Sequence, residues 1–235
     1  MFAHRGDVPG LERGIAILRL LRRDRRSLSA PEVAAELKLP RSTVHRLLQS
    51  LTGLGLLRRA AGEGYALGPA VLALGFEYLA SLDIVELAGP VLARLRDEIG
   101  CSTHLVALDR GNVLFLSRYA VRSAVSSSFG IGFTAPAKDT AVGKLLTGEL
   151  ERDYAISDSS SSSVFPRGMI AISAPVRDAR GRIVAAINAT TVMGAFNAKH
   201  IRGPLKEKVL AAAQEISAQL GAPVHSAQEA TRPRS

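Results

Sequence analysis

The stretch LPRSTVHRLLQSL, Leu39–Leu51, decides how the N-terminal part of this chain is read. Val44, Leu47, Leu48 and Leu51 recur at the spacing of one helical face. Arg41, His45 and Gln49 stand four residues apart and form a second row; Ser42 and Arg46 form a third. Both polar rows lie opposite the apolar one. One face requires a core. The other carries donors for phosphate oxygens or base edges, and Arg with guanine and Gln with adenine are the geometrically favoured pairings.

Working outward, GLERGIAILRLLRRD reads as an amphipathic helix with Leu11, Ile15, Leu18 and Leu21 as its apolar stripe. In SAPEVAAELKL, Ser29 and Glu32 make a capping box, Pro31 is tolerated in the first turn, and Val33 and Leu37 face inward. The pair Leu39-Pro40 breaks that helix and the opening stretch begins the next, which Gly53 and Gly55 end. Two short runs, Leu56–Arg59 and Tyr65–Leu67, flank AAGEG and signal a hairpin. Helix, helix, turn, helix, hairpin is the order of a winged helix-turn-helix. Its second helix enters the major groove by its N-terminal end. The expected DNA contacts are Arg41, His45, Arg46 and Gln49, with Ser42 and Thr43 anchoring phosphates and Arg58 and Arg59 reaching from the wing. A protein-binding winged helix and a plain solvated helix face are the alternatives.

Charge agrees with a polyanionic partner. The chain of 235 residues has a formal net charge of +9. Residues 1–68 hold twelve Arg and Lys against six acids, two-thirds of the excess. A single cysteine, Cys101, excludes a disulfide framework and a cysteine-based zinc site. The N-terminal MFAHRGDVPG has no apolar core of a signal peptide, and no apolar run approaches the roughly 18 residues of a spanning helix. The expectation is a cytoplasmic protein without a membrane partner.

From Pro69 the sequence is helical again. Val71, Leu72, Leu74, Phe76 and Leu79 give one apolar face, expected to dimerise because an exposed face of this kind is costly. Ile84, Leu87, Val91, Leu92, Leu95 and Ile99 give another. After Gly100 the period becomes two. STHLVALD and NVLFLSRY form one hairpin, MIAISAPVRD and RIVAAINATTV a second, with a short helix in KDTAVGKLLTGEL between them and a closing helix interrupted near Gly203-Pro204. This order suggests an α+β domain with helices on an antiparallel sheet. The expected divisions are a DNA-binding domain over 8–68, a linker helix over 69–83, a second domain over 84–221 and a disordered tail over 222–235. Ser157–Ser163 reads as a mobile low-complexity loop.

LERGIAILRLL, SAPEVAAELKLPRSTVHRLLQSLTGLGLLRR and GYALGPAVLALG closely resemble the N-terminal half of IclR-type transcriptional regulators. FTAPAKDTAVGKLL, ISAPVRDARGRIVAAINATT and the closing helix resemble the family's effector-binding domain, so that the likeness covers almost all of residues 8–221. It implies a GAF-like effector domain, a homodimer or dimer of dimers (a homotetramer) on a palindromic stretch of double-stranded DNA, and control by a small carboxylic or aromatic acid. The chain is shorter than the family pattern: Leu150 runs almost directly into Tyr154, where the family has several helical turns, and the serine run replaces a usual pair of acids. A ligand-independent DNA-binding regulator with a degenerate effector domain therefore stands as the alternative.

Within that domain Asn188 and Thr190 are polar residues two apart on an apolar strand, so both point to one sheet face. Buried, they need partners, a ligand or a neighbouring helix; the alternative is that they lie on an exposed face. The free amides of Thr140, Ala141 and Val142 at the start of a helix suit a carboxylate, although Asp139 could serve as that helix's own anion. The resemblance assigns Ala141, Val142, Ser157, Ala171, Asn188 and Thr190 to the effector pocket, Ser157 at a position where the family can use an acid. Arg118 and Arg122 could attract an anionic effector; the commoner reading is of solvated strand-end charges. Cys101 and His104 are an odd number of residues apart, on opposite faces, so a Cys–His nucleophile pair is not expected. No catalytic or cofactor motif and no metal-ligand spacing is present, and the expectation is a non-enzyme.

Overall fold

The computed structural model describes residues 8–60, 62–121, 130–150, 153–160 and 162–223. Arg122 and residues 224–235 of the expected tail lie outside the described residues. The chain divides into two compact units, Met1–Ser81 and Leu82–Ser235.

In the first unit the order is α1 (Pro9–Leu20), β1 (Leu28–Ser29), α2 (Ala30–Leu37), α3 (Arg41–Gly53), β2 (Leu57–Arg59), β3 (Gly64–Leu67) and α4 (Pro69–Ala80). Ile17, Leu21, Val33, Val44, Leu48, Leu51 and Leu57 close one core. Helix α1 departs in part from the sequence expectation: Leu21, just past its end, is buried and Leu18 packs against the core as expected. Gly14 and Ile17 are its buried positions, whereas Leu11 is 66% and Ile15 39% exposed. Gly14 provides the room, since a side chain there would begin 3.7 Å from the Leu51 methyl. Helix α2 starts with the expected capping box: the Glu32 amide donates to Ser29 Oγ and the Ser29 amide to Glu32 Oε2. The Ser29 amide and hydroxyl both donate to the Glu32 carboxylate and lower its pKa from the ordinary value. Strand β1 pairs with β3, which makes the wing the outer part of a three-stranded sheet, β1-β3-β2. Two residues are too short a strand to register as a periodic signal. Gly68 leaves the wing at a position where a Cβ would stand 2.1 Å from the Gly55 carbonyl oxygen. No residue of α4 is buried.

The second unit is α5 (Asp83–Ile99), β4 (Ser102–Asp109), β5 (Asn112–Tyr119), β6 (Thr134–Pro136), α6 (Ala141–Leu146), β7 (Ala155–Asp158), β8 (Met169–Arg177), β9 (Ile183–Val192), α7 (Ala198–His200) and α8 (Lys206–Gln219). Its six strands form an antiparallel sheet in the order β6-β5-β4-β9-β8-β7. The two long hairpins are central. The edge strands β6 and β7, three and four residues long, carry no usable alternation, and the sequence pattern does not mark them. Helices α5 and α8 pack on one face and α6 on the other. The Thr103 hydroxyl, donating to Leu92 O at 2.8 Å, marks the α5 side. His104, Asn188 and Ser173 lie across from one another in the register of β4, β9 and β8 and therefore share the α6 side. Near Gly203-Pro204 the closing helix has the expected break, with Gly203 at φ −108° and ψ −107°.

Candidate DNA interface and effector site

On α3, Val44, Leu48 and Leu51 are buried, while Arg41, Ser42, His45, Arg46 and Gln49 are exposed and Thr43 is half-buried. None of these six polar side chains has a hydrogen-bond or ion-pair partner among the described residues. Pro40 precedes the helix and supplies no side-chain cap, and no acid stands in the first turn. The first-turn amides and the partial positive end of a 13-residue helix are thus open to an anion. Arg58 and Arg59 are exposed on β2, and the Arg59 guanidinium lies 4.3 Å from the centre of the Tyr65 ring, which stiffens it against the wing.

In the second unit, all six positions expected at a pocket line one cavity of about 310 Å³: Ala141, Val142, Ser157, Ala171, Asn188 and Thr190. The register explains this. Ser157 pairs with Ala171 and Ala171 with Thr190, while Ser173 pairs with Asn188, so two adjacent rows of the sheet make the floor. Helix α6 supplies the wall. Thr140 is its N-cap and accepts from the Gly143 amide at 3.0 Å. The Thr140 amide is not available to a ligand, contrary to expectation, because it donates to Ala137 O at 3.1 Å in the short turn before the helix. The amides of Ala141 and Val142 are the ones at the open end. Asp139 lies in that preceding turn, exposed at the rim, and does not cap α6.

Polar groups on the floor are partly committed. The Ser173 hydroxyl donates to Asn188 Oδ1 at 3.1 Å, leaving the Asn188 nitrogen to face the cavity. Thr190 Oγ1 reaches Ser102 O only at 3.4 Å. Sequence reasoning missed Ser159, Ser162, Phe165, Met169 and Ser173. Ser173 was findable, since the β8–β9 register follows from the hairpin turn, but the other four lie on or beside the serine-rich segment. That segment is built rather than formless in its described part. Ser159 Oγ accepts from the Met169 amide, and Ser162 Oγ accepts from the amides of Val164 and Phe165.

Beside Asn188, His104 is 1% exposed, with Nδ1 3.1 Å from Asn188 O. Burial pushes its imidazole down to about 4, Arg118 opposing the proton as well. Arg118 is not the solvated charge that was expected: it is half-buried, and its Nε is fully buried without a hydrogen-bond partner. The Cys101 thiol is buried and raised to about 11 by burial, which leaves it unreactive. Among the described residues no group of three or more His, Cys, Asp or Glu could hold a metal ion, and no helix is long and apolar enough to cross a membrane.

Two family models match this chain: the IclR helix-turn-helix domain over residues 10–61 and the bacterial transcriptional regulator IclR C-terminal domain over residues 76–158. The chain belongs to the IclR family of transcriptional regulators. Among relatives, the Pca regulon regulatory protein of Pseudomonas putida is 26% identical over 89% of this chain and 83% of its own length. The transcriptional repressor IclR of Escherichia coli K12 is 26% identical over 63% of this chain, which spans just over half, 55%, of that relative. An IclR homologue of Microbacterium hydrocarbonoxydans, solved with 4-hydroxybenzoate, shares the fold with a TM-score of 0.72 and 21% identity, over 90% of this chain and 98% of that one. The IclR-type helix-turn-helix domain thus ends in the wing that carries Arg58 and Arg59.

Proposed function

We propose that this IclR-family regulator binds a palindromic DNA operator through α3 and the wing, and that a small carboxylic or aromatic acid in the α6–β9 cavity modulates that binding. The observation that carries the ligand part is the convergence of six residues from α6, β7, β8 and β9 on one cavity. Two backbone amides of α6 and the Asn188 nitrogen suit a carboxylate, and Phe165, Met169 and Ala171 offer apolar contact to a ring. The volume, near the lower end of ordinary ligand pockets, fits a compact effector. The 4-hydroxybenzoate of the Microbacterium homologue is a compound of this class.

Arg41, Ser42, Thr43, His45, Arg46 and Gln49 face the major groove in this reading, with Arg58 and Arg59 on flanking phosphates. The chain acts as a homodimer or a dimer of dimers. Leu72 and Phe76 of α4, four residues apart and 76% and 63% exposed, supply an apolar face for pairing. A two-fold pair sets its recognition helices about 34 Å apart, one turn of DNA. Effector binding alters that spacing only by its differential affinity for the two states.

The alternative, a regulator that binds no effector, is favoured by the short connection from α6 to β7, Thr147 to Tyr154. A thermal-unfolding screen of the full chain against small carboxylic and aromatic acids separates the two. Under the proposal one acid raises the midpoint, by the equivalent of about 2.7 kcal/mol at a hundredfold excess over its dissociation constant. Midpoints unmoved by every acid at saturating concentration favour the alternative.

A further inference from the structure

Five arginines fall within eight residues at the end of α1 and the turn that follows: Arg19, Arg22, Arg23, Arg25 and Arg26, with only Asp24 among them. Such a cluster is self-repelling and costs stability unless something anionic is brought to it. The turn is held, not loose. The Arg22 amide donates to Arg25 O at 3.1 Å and the Arg25 amide to Arg22 O at 3.0 Å, an isolated antiparallel bridge. Arg25 is spent inside the protein: its guanidinium pairs with Glu36 at 2.6 Å and lies 3.9 Å from Glu32, both on α2. That pair pins the turn to the first helix of the helix-turn-helix. The strand that follows it pins it to the wing: Leu28 and Ser29 pair with Tyr65 and Gly64 of β3. Arg22 and Arg26 are left exposed between these two anchors, and among the described residues Arg26 reaches only a backbone carbonyl, Arg23 O at 3.4 Å.

In a docked helix-turn-helix the first helix crosses the phosphate backbone while the second enters the groove. A turn fastened to that first helix is fastened to the element that meets the phosphate backbone. From this juxtaposition we infer that Arg22 and Arg26 form a further phosphate-binding site for the same duplex, outside the base-reading surface. The inference rests on the DNA-binding reading of α3. Its contribution is independent of sequence, because phosphates carry no base identity.

The test is the salt dependence of binding by the full chain, on a random-sequence duplex and on DNA from upstream of its own gene. Arg22→Gln/Arg26→Gln is compared with wild type and with Arg41→Ala/Arg46→Ala; Arg25 is left in place because it holds Glu36. The log–log slope of affinity against salt becomes shallower by about 0.9 for each phosphate no longer neutralised, so by about two for each bound protomer, and equally on both duplexes. The Arg41/Arg46 variant instead loses the preference between the duplexes. A wild-type slope in a folded Arg22/Arg26 variant overturns the site while leaving α3 standing. A wild-type chain that binds neither duplex overturns the DNA-binding reading and this site with it.

Discussion

Asn188 is the residue on which the ligand site turns. Its side chain is held by the Ser173 hydroxyl, which donates to Oδ1 and leaves the amide nitrogen as the donor for a ligand. Asn188→Ala leaves Ser173 unpaired and removes one donor from the cavity; a loss of ligand affinity of roughly tenfold is expected for one hydrogen bond to a charged group. Isothermal titration with an acid found in the unfolding screen measures it. His104 governs a different property. Its folded-state pKa of about 4 lies below the ordinary 6.5, so between these values the unfolded chain binds a proton that the folded chain refuses. Its contribution is therefore complete above pH 6.5 and falls by about 1.4 kcal/mol per unit as pH drops toward 4. Denaturant titrations at stepped pH show this slope, and His104→Leu flattens it. The polar positions of the floor were legible in sequence because Asn188 and Thr190 interrupt an apolar strand. Burial of the Arg118 Nε was not, since no periodic signal tells a strand-end arginine in water from one covered by its neighbours.

Elements are joined here by close backbone approach at Gly68, against Gly55, and at Gly143, against Ala137. A Cβ on Gly143 would lie 2.2 Å from Ala137 O and 2.5 Å from Ala137 Cα, so Gly143→Ala must push α6 away from the turn that aims its amides. Overpacking of this kind costs about 1–3 kcal/mol, and the variant should lose ligand binding out of proportion to its loss of stability. At the other unit, Ser29→Ala removes the capping box of α2 and costs about 1 kcal/mol, read from denaturant unfolding. The long amphipathic segments could be read directly, because burial on one face imposes a period. Helix α1 shows the limit of that reading. Its leucines suggest one stripe, but Gly14 lets Leu51 approach, and the buried stripe turns toward Ile17. The edge strands β6 and β7 are positioned by the hairpins they join rather than by their own pattern.

Across the whole molecule, one unit presents α3 donors that have no partner among the described residues, and the other lines a polar cavity. The α4 face predicts self-association: Leu72→Glu/Phe76→Glu should lower the mass seen by light scattering and weaken DNA binding without unfolding either unit. The central claim is that the cavity controls the operator. It is tested most directly by a mobility shift on DNA from upstream of the chain's own gene, with and without the acid that raises the unfolding midpoint, for wild type and Asn188→Ala/Thr190→Val. The account predicts that the acid changes wild-type affinity at least fivefold, a coupling of about 1 kcal/mol, and leaves the double variant unchanged. An equal response in both, or none in a wild type that binds DNA and ligand, would contradict it.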